Sequence, residues 1–356
     1  MSGPAVEAVA PGSAGEWQTP RERLLAVLAA GECDRLPVMP LAGGWIARAS
    51  GRPLAEIMAR GEVLAAAQLD VQARVGWDAL YAYFDPLAIP EAFGCAVVLK
   101  EFGGPSVAEE LPLEGAGGAL DRAIPDPRRD GRLPELLVAV SILAERARGR
   151  LPVAALFEAP FTTASRVVGA TPFLLAMMDD PALTRRFLAR IADALIDWGR
   201  ALAAAGADLI IMPDPVSSTD LVSPEQSHEF AAPARRRVIE ALPVPVMVHV
   251  CGNTGPIVAS LAASGARLLS LDQCMDLRQV RATVGWGVAL GGNVDPIRVV
   301  ERGSPAEVAG AARATIAAGG PRRFVLMAGC AIPPPTPLEN VLALVAAARL
   351  TEHPKT

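Results

Sequence analysis

Short apolar runs alternate with longer amphipathic stretches along most of the chain. Apolar runs of this length, bounded by turn-forming residues, predict buried β-strands. The candidate strands are 36–41, 79–84, 152–157, 207–212, 245–250, 267–271, 286–291 and 323–328. Helix-like stretches lie between most of them, for example 181–205, 224–241, 305–318 and 337–350. Because strands that alternate with helices form parallel sheets, the pattern predicts an α/β fold, a single (β/α)₈ TIM barrel.

Local start signals support several of these helices. Thr19, Pro20 and Glu22 have the spacing of a capping box with proline in the first turn, which predicts a capped N-terminal helix. Three further polar residues each precede a proline at the start of a predicted helix, and they are Ser223, Ser304 and Thr336. A polar cap followed by proline is a common way for a helix to begin.

We expect one domain, a barrel over residues 17–350, with short segments at either end. Residues 1–16 are mostly small, with Glu7 and Glu16 as their only charged side chains, and predict a disordered tail. Residues 351–356 form a second tail. A Gly-, Pro- and charge-rich stretch at 103–135 predicts a long loop between strands 2 and 3 of the predicted barrel. No GxGxxG follows an early strand, which argues against a dinucleotide-binding domain.

Composition narrows the classes of partner and compartment. The 356 residues include 33 basic and 38 acidic side chains, a net charge of −5, with no basic block, so we expect no nucleic-acid partner. Five widely spread cysteines make a disulfide framework improbable and favour a reducing, cytoplasmic location. The uncharged stretch 242–266 contains three prolines, so it does not predict a membrane helix, and we expect no membrane partner.

Three residues at the ends of predicted strands suggest a metal site. His249 and Cys251 are two apart, so their side chains point to the same face of an extended chain. Cys330 follows the last predicted strand. A lone cysteine is usually a small buried hydrophobic residue, but one imidazole and two thiols at strand ends match the ligand preference of Zn²⁺. Three protein ligands with an open fourth position are typical of catalytic zinc.

Further polar residues recur at the carboxyl ends of the predicted strands, where barrel active sites lie. Asp85 and Asp214 are candidate catalytic acids, although an Asp after a strand can equally cap a helix. Four residues are candidates for a substrate or cofactor pocket, namely Trp45, Glu158, Asn253 and Asn293. For Asn293 the alternative is a turn, and for Trp45 it is packing against a helix.

The last third of the chain resembles the uroporphyrinogen decarboxylase superfamily. The segments that carry the resemblance are His249-Val-Cys-Gly-Asn-Thr254, Leu290-Gly-Gly-Asn-Val-Asp-Pro296 and Gly329-Cys-Ala-Ile-Pro-Pro-Pro-Thr-Pro-Leu-Glu-Asn340. Weaker matches extend it from about residue 19 to residue 349. Within the superfamily the chain is similar to the zinc-dependent corrinoid methyltransferase branch, which includes methylcobalamin:coenzyme M methyltransferases. Decarboxylases have Gly-His-Gly where Gly329, Cys330 and Ala331 stand here, and several arginines where 41–48 has one.

The resemblance implies a function. His249, Cys251 and Cys330 match the zinc ligands of that branch, and Gln273 stands where its members often have Glu. The fourth zinc position is then open to water, Asp272 or Cys274. The resemblance implies methyl transfer between a corrinoid (cobalamin) and a small methyl donor or acceptor, such as a methoxy compound or a thiol. Since no Asp-x-His-x-x-Gly pattern occurs, the corrinoid is expected on a partner protein.

Two alternatives remain open at this point. The first is a lyase of the decarboxylase type that acts on a smaller carboxylate without metal. The second is a non-catalytic barrel that binds zinc or a ligand. Metal analysis and a methylcobalamin turnover assay would separate them.

Overall fold

The computed structural model describes residues 17–82, 86–100 and 104–351. Three predictions fall on residues outside these ranges. They are the tail at 1–16, the tail at 351–356 apart from Thr351, and the candidate acid Asp85.

A parallel sheet forms the centre of the fold, as the alternating pattern predicts. Its seven strands are β1 (Leu80–Ala82), β4 (Val153–Leu156), β5 (Leu209–Pro213), β6 (Val246–Val250), β7 (Leu268–Leu271), β8 (Ala289–Val294) and β9 (Phe324–Ala328). They pair in the order β1-β4-β5-β6-β7-β8-β9, each parallel to the next. Seven of the eight predicted strands therefore overlap observed ones.

The remaining predicted strand, 36–41, does not form a full strand. It contributes one parallel bridge, between Val38 and Leu326 of β9. On its other side the backbone N–H of Asp78 donates to the Val38 carbonyl at 2.9 Å. The segment thus bonds to the edge strand β9 and to Asp78, two residues before the other edge strand β1, and the prediction of eight complete strands is not confirmed.

Helices surround the sheet. They are α1 (Pro20–Leu28), α2 (Gly43–Ser50), α3 (Leu54–Ala59), α4 (Gly61–Val75), α5 (Ala88–Phe93), α6 (Leu133–Ala147), α7 (Pro160–Val168), α8 (Ala170–Asp179), α9 (Pro181–Ala205), α10 (Pro224–Gln226), α11 (Ala232–Ala241), α12 (Val258–Ala262), α13 (Leu277–Val284), α14 (Pro305–Gly319) and α15 (Leu338–Arg349). Short 3₁₀ turns lie at Pro215–Ser217 and Gly255–Ile257, and π-helical turns at Ser227–Ala231 and Pro296–Glu301. None of the helices in the described ranges is long and apolar enough to cross a membrane.

The predicted helix starts are mostly confirmed. Thr19 closes a capping box with Glu22, and Ser223 and Ser304 do the same at α10 and α14. The cap prediction for Thr336 is wrong. Helix α15 has Pro337 at its N-cap, and the Thr336 hydroxyl is buried without a hydrogen-bond partner. The predicted loop at 103–135 is also partly structured, because β3 (Ser106–Glu109) lies within it and pairs antiparallel with β2 (Ala96–Val98).

Four buried charges hold the sheet at its amino end. Arg23 of α1 donates to Asp34 at 2.6 Å and to Asp78 at 2.8 Å, and Arg35 donates to Asp78 at 2.7 Å. Asp78 also accepts from the backbone N–H of Val38. Buried charges are tolerated when every one is paired. This network joins α1 to the sheet at the end opposite the candidate metal ligands.

Candidate metal centre

The three predicted ligands converge at the carboxyl end of the sheet. His249 lies in β6 and is buried, Cys251 follows that strand directly, and Cys330 follows β9 by two residues. The His249 Nε2 atom lies 3.2 Å from the Cys251 Sγ, and the two sulfurs are 3.7 Å apart. All three ligand atoms lie within 4.8 Å of one another.

This spacing fits the donor set of a tetrahedral zinc site. With Zn–S of about 2.3 Å and Zn–N of about 2.0 Å, tetrahedral angles put two sulfurs roughly 3.8 Å apart and a sulfur and a nitrogen roughly 3.5 Å apart. The sulfur–sulfur distance of 3.7 Å agrees closely, and the Nε2–Sγ distance of 3.2 Å is slightly shorter. One imidazole and two thiols suit Zn²⁺ better than the hard cations Mg²⁺ or Ca²⁺.

The two thiols differ in acidity because they hydrogen-bond to each other. The hydrogen bond from Cys251 lowers the pKa of Cys330 to about 4. Burial opposes this shift, and His249 adds to it. The same hydrogen bond, followed by burial, raises the pKa of Cys251. A lowered pKa favours the thiolate form of Cys330, which is the form that binds a metal ion. A bound dication would favour the thiolate form of the other as well.

Ser270 supports the imidazole from the neighbouring strand β7. Its Oγ lies 3.1 Å from His249 Nδ1, and Ser270 is the register partner of His249 in the parallel pair. Metal-binding histidines usually bond through their second nitrogen, which fixes ring orientation and tautomer. The sequence offered one signal for this residue, a lone hydroxyl in an apolar strand, but its partner depends on strand register.

Asp272 and Asn293 organise the loops around the ligands. The two carboxylate oxygens of Asp272 each accept a backbone N–H at 3.0 Å, one from Gly252 and one from Cys274. Asn293 of β8 donates through Nδ2 to the Asp272 carbonyl at 2.9 Å and to the Met275 carbonyl at 2.7 Å. Asp272 thus holds the turn after Cys251. The three ligand atoms that lie within 4.8 Å of one another belong to His249, Cys251 and Cys330, and Asp272 is not among them.

The turn that carries Gln273 packs directly behind Cys330. A Cβ atom at Gly329 would overlap the backbone nitrogen and the side-chain oxygen of Gln273, so glycine permits this close approach. Cys274 is exposed as a residue, but partial desolvation of its sulfur, together with the nearby Asp272, raises its pKa to about 11. The thiol therefore lacks the lowered pKa that marks Cys330.

Asn253 lies on the exposed rim. Its Oδ1 accepts from the Gly255 backbone N–H at 3.0 Å, and its own backbone N–H donates to Asp220 at 3.3 Å. Thr219 donates to the Asn253 carbonyl. Gly252 has φ +77°, and a Cβ there would overlap the Asp220 carboxylate. The loop after β5 thus fits tightly against the turn that presents Cys251.

Asp214 is fully buried at the end of β5, with both oxygens in use. One accepts from Thr162 Oγ1 at 2.8 Å and the other from Arg235 at 2.7 Å. Its backbone N–H donates to the His249 carbonyl at 2.8 Å. These contacts favour a role in positioning β5 against β6, and proton transfer by Asp214 stays a prediction. Arg235 was not foreseen, because nothing in Arg235-Arg236-Arg237 indicates which arginine is buried.

Two further pocket candidates differ in environment. Glu158, just past β4, forms a two-pronged ion pair with Arg166 of α7, with both N···O distances at 3.2 Å. Trp45 is buried, donates to the Thr336 carbonyl at 2.8 Å and packs with its ring 5.9 Å from that of Trp77. Its contacts match the packing alternative. Arg166 was missed, although a lone charge in the apolar stretch after Glu158 was a usable signal.

Comparison with known proteins places the chain in a family. The model of the family described as uroporphyrinogen decarboxylase (URO-D) matches residues 19–350. The chain is 29% identical to a methylated-thiol–coenzyme M methyltransferase of Methanosarcina mazei, over 95% of this chain and 91% of that relative. It is 31% identical to the methylcobamide:CoM methyltransferase MtbA of the same organism, over 93% and 98% of the two chains.

A solved structure extends the comparison to the whole fold. The structure of a methyltransferase from Methanosarcina mazei covers 94% of this chain with 99% of its own, at a TM-score of 0.87 and 29% identity. The resemblance seen in the sequence motifs is thus confirmed over nearly the full length. The chain belongs to the uroporphyrinogen decarboxylase (URO-D) family.

Proposed function

We propose that the protein is a zinc-dependent methyltransferase that moves a methyl group between a corrinoid and a small substrate. The observation that carries the proposal is the convergence of His249 Nε2, Cys251 Sγ and Cys330 Sγ within 4.8 Å of one another, with the two sulfurs 3.7 Å apart, close to their separation in a tetrahedral zinc site. The relative named as a methylated-thiol–coenzyme M methyltransferase supports methyl transfer, and the relative named as a methylcobamide:CoM methyltransferase supports the corrinoid part. We expect the corrinoid on a partner protein.

Each residue of the centre has a proposed part. His249, Cys251 and Cys330 would hold Zn²⁺, which could lower the pKa of a substrate thiol or act as a Lewis acid on a methoxy oxygen. Ser270 would keep Nδ1 of His249 engaged so that Nε2 points to the sulfurs. Asp272 would fix the Cys251–Gly252 turn through its backbone hydrogen bonds, leaving the fourth position for the substrate or water. Asp85 and Asp214 remain candidates for protonating a leaving group.

The two alternatives are less well supported. A metal-free lyase gives no reason for two thiols and an imidazole to meet at the strand ends, and the decarboxylase histidine position holds Cys330. A non-catalytic barrel gives no reason for the similarity over most of the chain to relatives named as methyltransferases. The cytoplasmic location and the absence of nucleic-acid and membrane partners stay predictions.

Paired assays with free cobalamin test the proposal in both directions. Zinc-loaded protein is mixed with methyl-Co(III) cobalamin and a panel of thiols in one assay, and with Co(I) cobalamin and methoxyarenes in the other. We expect methyl transfer in at least one assay, lost after chelation and restored by Zn²⁺. Gln273 stands where the resemblance implies a Glu in many of the methyltransferases, so a bound Zn²⁺ would be more positive here, which would favour the methoxy direction. No transfer in either assay, or transfer unaffected by chelation, would contradict the proposal.

A further inference from the structure

Four arginines and an exposed tryptophan lie together at the amino ends of three adjacent strands. Arg267 directly precedes β7, and Arg322 and Arg323 directly precede β9. Trp286 lies just before β8, the strand between these two, and Arg281 lies in helix α13, which leads to it. Backbone N–H groups of β8 donate to the carbonyls of Arg267 and Arg323 at 3.1 and 3.0 Å, so the starts of the three strands are adjacent. We call these five residues the arginine cluster.

The tryptophan of the cluster is fixed in place although it faces solvent. Trp286 is 41% exposed, and the Cζ atoms of Arg281 and Arg322 lie 4.3 and 5.0 Å from the centre of its ring. Arg281 is itself held, because its guanidinium donates to three backbone carbonyls at 2.8 to 3.0 Å. A Cβ atom at Gly320 would lie 2.9 Å from the ring, so glycine lets the ring pack closely there. The cluster therefore presents a built surface and not a set of loose side chains.

The positive charges of the cluster have no opposite charge beside them. Within the described ranges, none of its four arginines forms an ion pair with a carboxylate. Arg281 and Arg323 donate to backbone carbonyls, and the Nε of each has no hydrogen-bond partner. Burial and the charge of Arg323 lower the pKa of Arg281 to about 10, and burial and Arg267 lower the pKa of Arg323. An anion bound among these charges would relieve their mutual repulsion.

The free donors of the cluster indicate the chemistry of such an anion. Arg267 and Arg322 are exposed, and neither guanidinium donates a hydrogen bond to another part of the described chain. A guanidinium fork binds two oxygens of one phosphate group, as it does those of a carboxylate. Several uncompensated positive charges favour a ligand with several negative charges close together, and linked phosphate groups have this property. The exposed ring of Trp286 also offers a stacking surface to a nucleobase.

We infer that the arginine cluster binds a multivalent phosphate anion, in which two or more phosphate groups are linked, either free or attached to a nucleoside. Arg267 and Arg322 contact the phosphate oxygens, and Arg281 and Arg323 add positive charge beneath them. The cluster lies at the amino end of the sheet, opposite the metal centre. The inference therefore goes beyond the proposed function and does not depend on it.

Isothermal titration calorimetry at low ionic strength tests the ligand class, with four small anions as probes. They are tripolyphosphate, ATP, inorganic phosphate and citrate. We expect tripolyphosphate to bind once per chain, at least about tenfold more tightly than phosphate or citrate, and to lose affinity as salt is added. ATP should bind at least as tightly as tripolyphosphate. Tighter binding of ATP would identify a nucleotide as the ligand, and equal affinity would identify the phosphate chain alone.

Variants assign the binding to the cluster. In Arg267→Gln and Arg322→Gln we expect the Kd for tripolyphosphate to rise by about tenfold, because each loses hydrogen bonds to a charged ligand. Arg185→Gln is the matched control. Arg185 is 52% exposed and lies 5.2 Å from the ring centre of Phe230, much as Arg322 lies over Trp286, but it has a carboxylate partner in Glu229. The control removes the same net charge and should leave the Kd unchanged.

A second control excludes binding through the metal. Tripolyphosphate and ATP also bind Zn²⁺, so the titration is repeated with Cys330→Ala, in which the ligand set is incomplete, and we expect the same Kd. Four results would overturn the inference: no saturable binding of tripolyphosphate, equal weakening in Arg185→Gln, loss of binding in Cys330→Ala, or a glutamate-rich peptide that binds as tightly as tripolyphosphate. The last result would indicate an acidic protein partner in place of a phosphate ligand.

Discussion

Replacement of Ser270 by alanine should weaken zinc binding without removing any ligand. The Ser270 Oγ lies 3.1 Å from His249 Nδ1, and the residue is only 2% exposed, so solvent cannot readily replace the hydroxyl. Leaving a buried N–H without a partner costs about 1–3 kcal/mol. Loss of the outer partner of a metal-binding histidine typically costs 10- to 100-fold in affinity, which corresponds to roughly 1.4–2.8 kcal/mol. The two estimates agree, and we expect a Kd for Zn²⁺ raised by about one to two orders of magnitude.

The assay is a competition titration of zinc between the protein and a chromophoric chelator at fixed pH. Ser264→Ala is the matched control, because Ser264 is also buried but its Oγ donates to the Leu261 carbonyl at 2.6 Å, away from the ligands. We expect wild-type zinc affinity in the control. If Ser270→Ala kept wild-type affinity, or if both variants lost affinity equally, the role given to Ser270 in orienting His249 would be refuted.

Three other predictions concern the ligands, a buried ion pair and the substrate class. Cys251→Ala or Cys330→Ala should abolish tight zinc binding, measured as metal per chain, while the circular dichroism spectrum is retained; full zinc content in both variants would contradict the site. Asp214→Asn leaves the buried Arg235 without its counter-charge and should lower the free energy of unfolding in urea by about 3–5 kcal/mol. Asp193→Asn, in an ion pair where Asp193 is 51% exposed, should cost less than about 1 kcal/mol, and equal effects would refute the argument from burial. Incubation with uroporphyrinogen should yield no coproporphyrinogen, and conversion at an enzyme-like rate would overturn the choice of branch.

Much of the fold could be predicted because local pattern and global structure agree. Strands buried on both faces leave continuous apolar runs, and helix starts leave caps such as Ser304 with its proline. The segment 36–41 was over-predicted, because an apolar run indicates burial but does not fix how many residues pair. Thr336 was mis-assigned for a similar reason, since a polar residue before proline can equally be buried beside the helix start.

The sequence predicts a residue of the site only where both its chemical type and its position at the end of a predicted strand indicate a role. His249, Cys251 and Cys330 could be found because residue type and strand position both point to them. Ser270 and Arg235 could not, since their roles depend on strand register and on which face of a helix is buried. The sequence makes Asp272 a possible zinc ligand, whereas in the structure each of its carboxylate oxygens accepts a hydrogen bond from a backbone N–H group.

Zinc K-edge X-ray absorption on the purified protein, with metal quantified per chain, tests the central claim most directly. The account predicts about one zinc per chain, with two sulfur ligands at about 2.3 Å and one imidazole nitrogen at about 2.0 Å. If the small substrate is a thiol rather than a methoxy compound, its addition should bring a third sulfur into the coordination shell. Protein that binds no zinc, or zinc held by oxygen and nitrogen ligands without sulfur, would contradict the account.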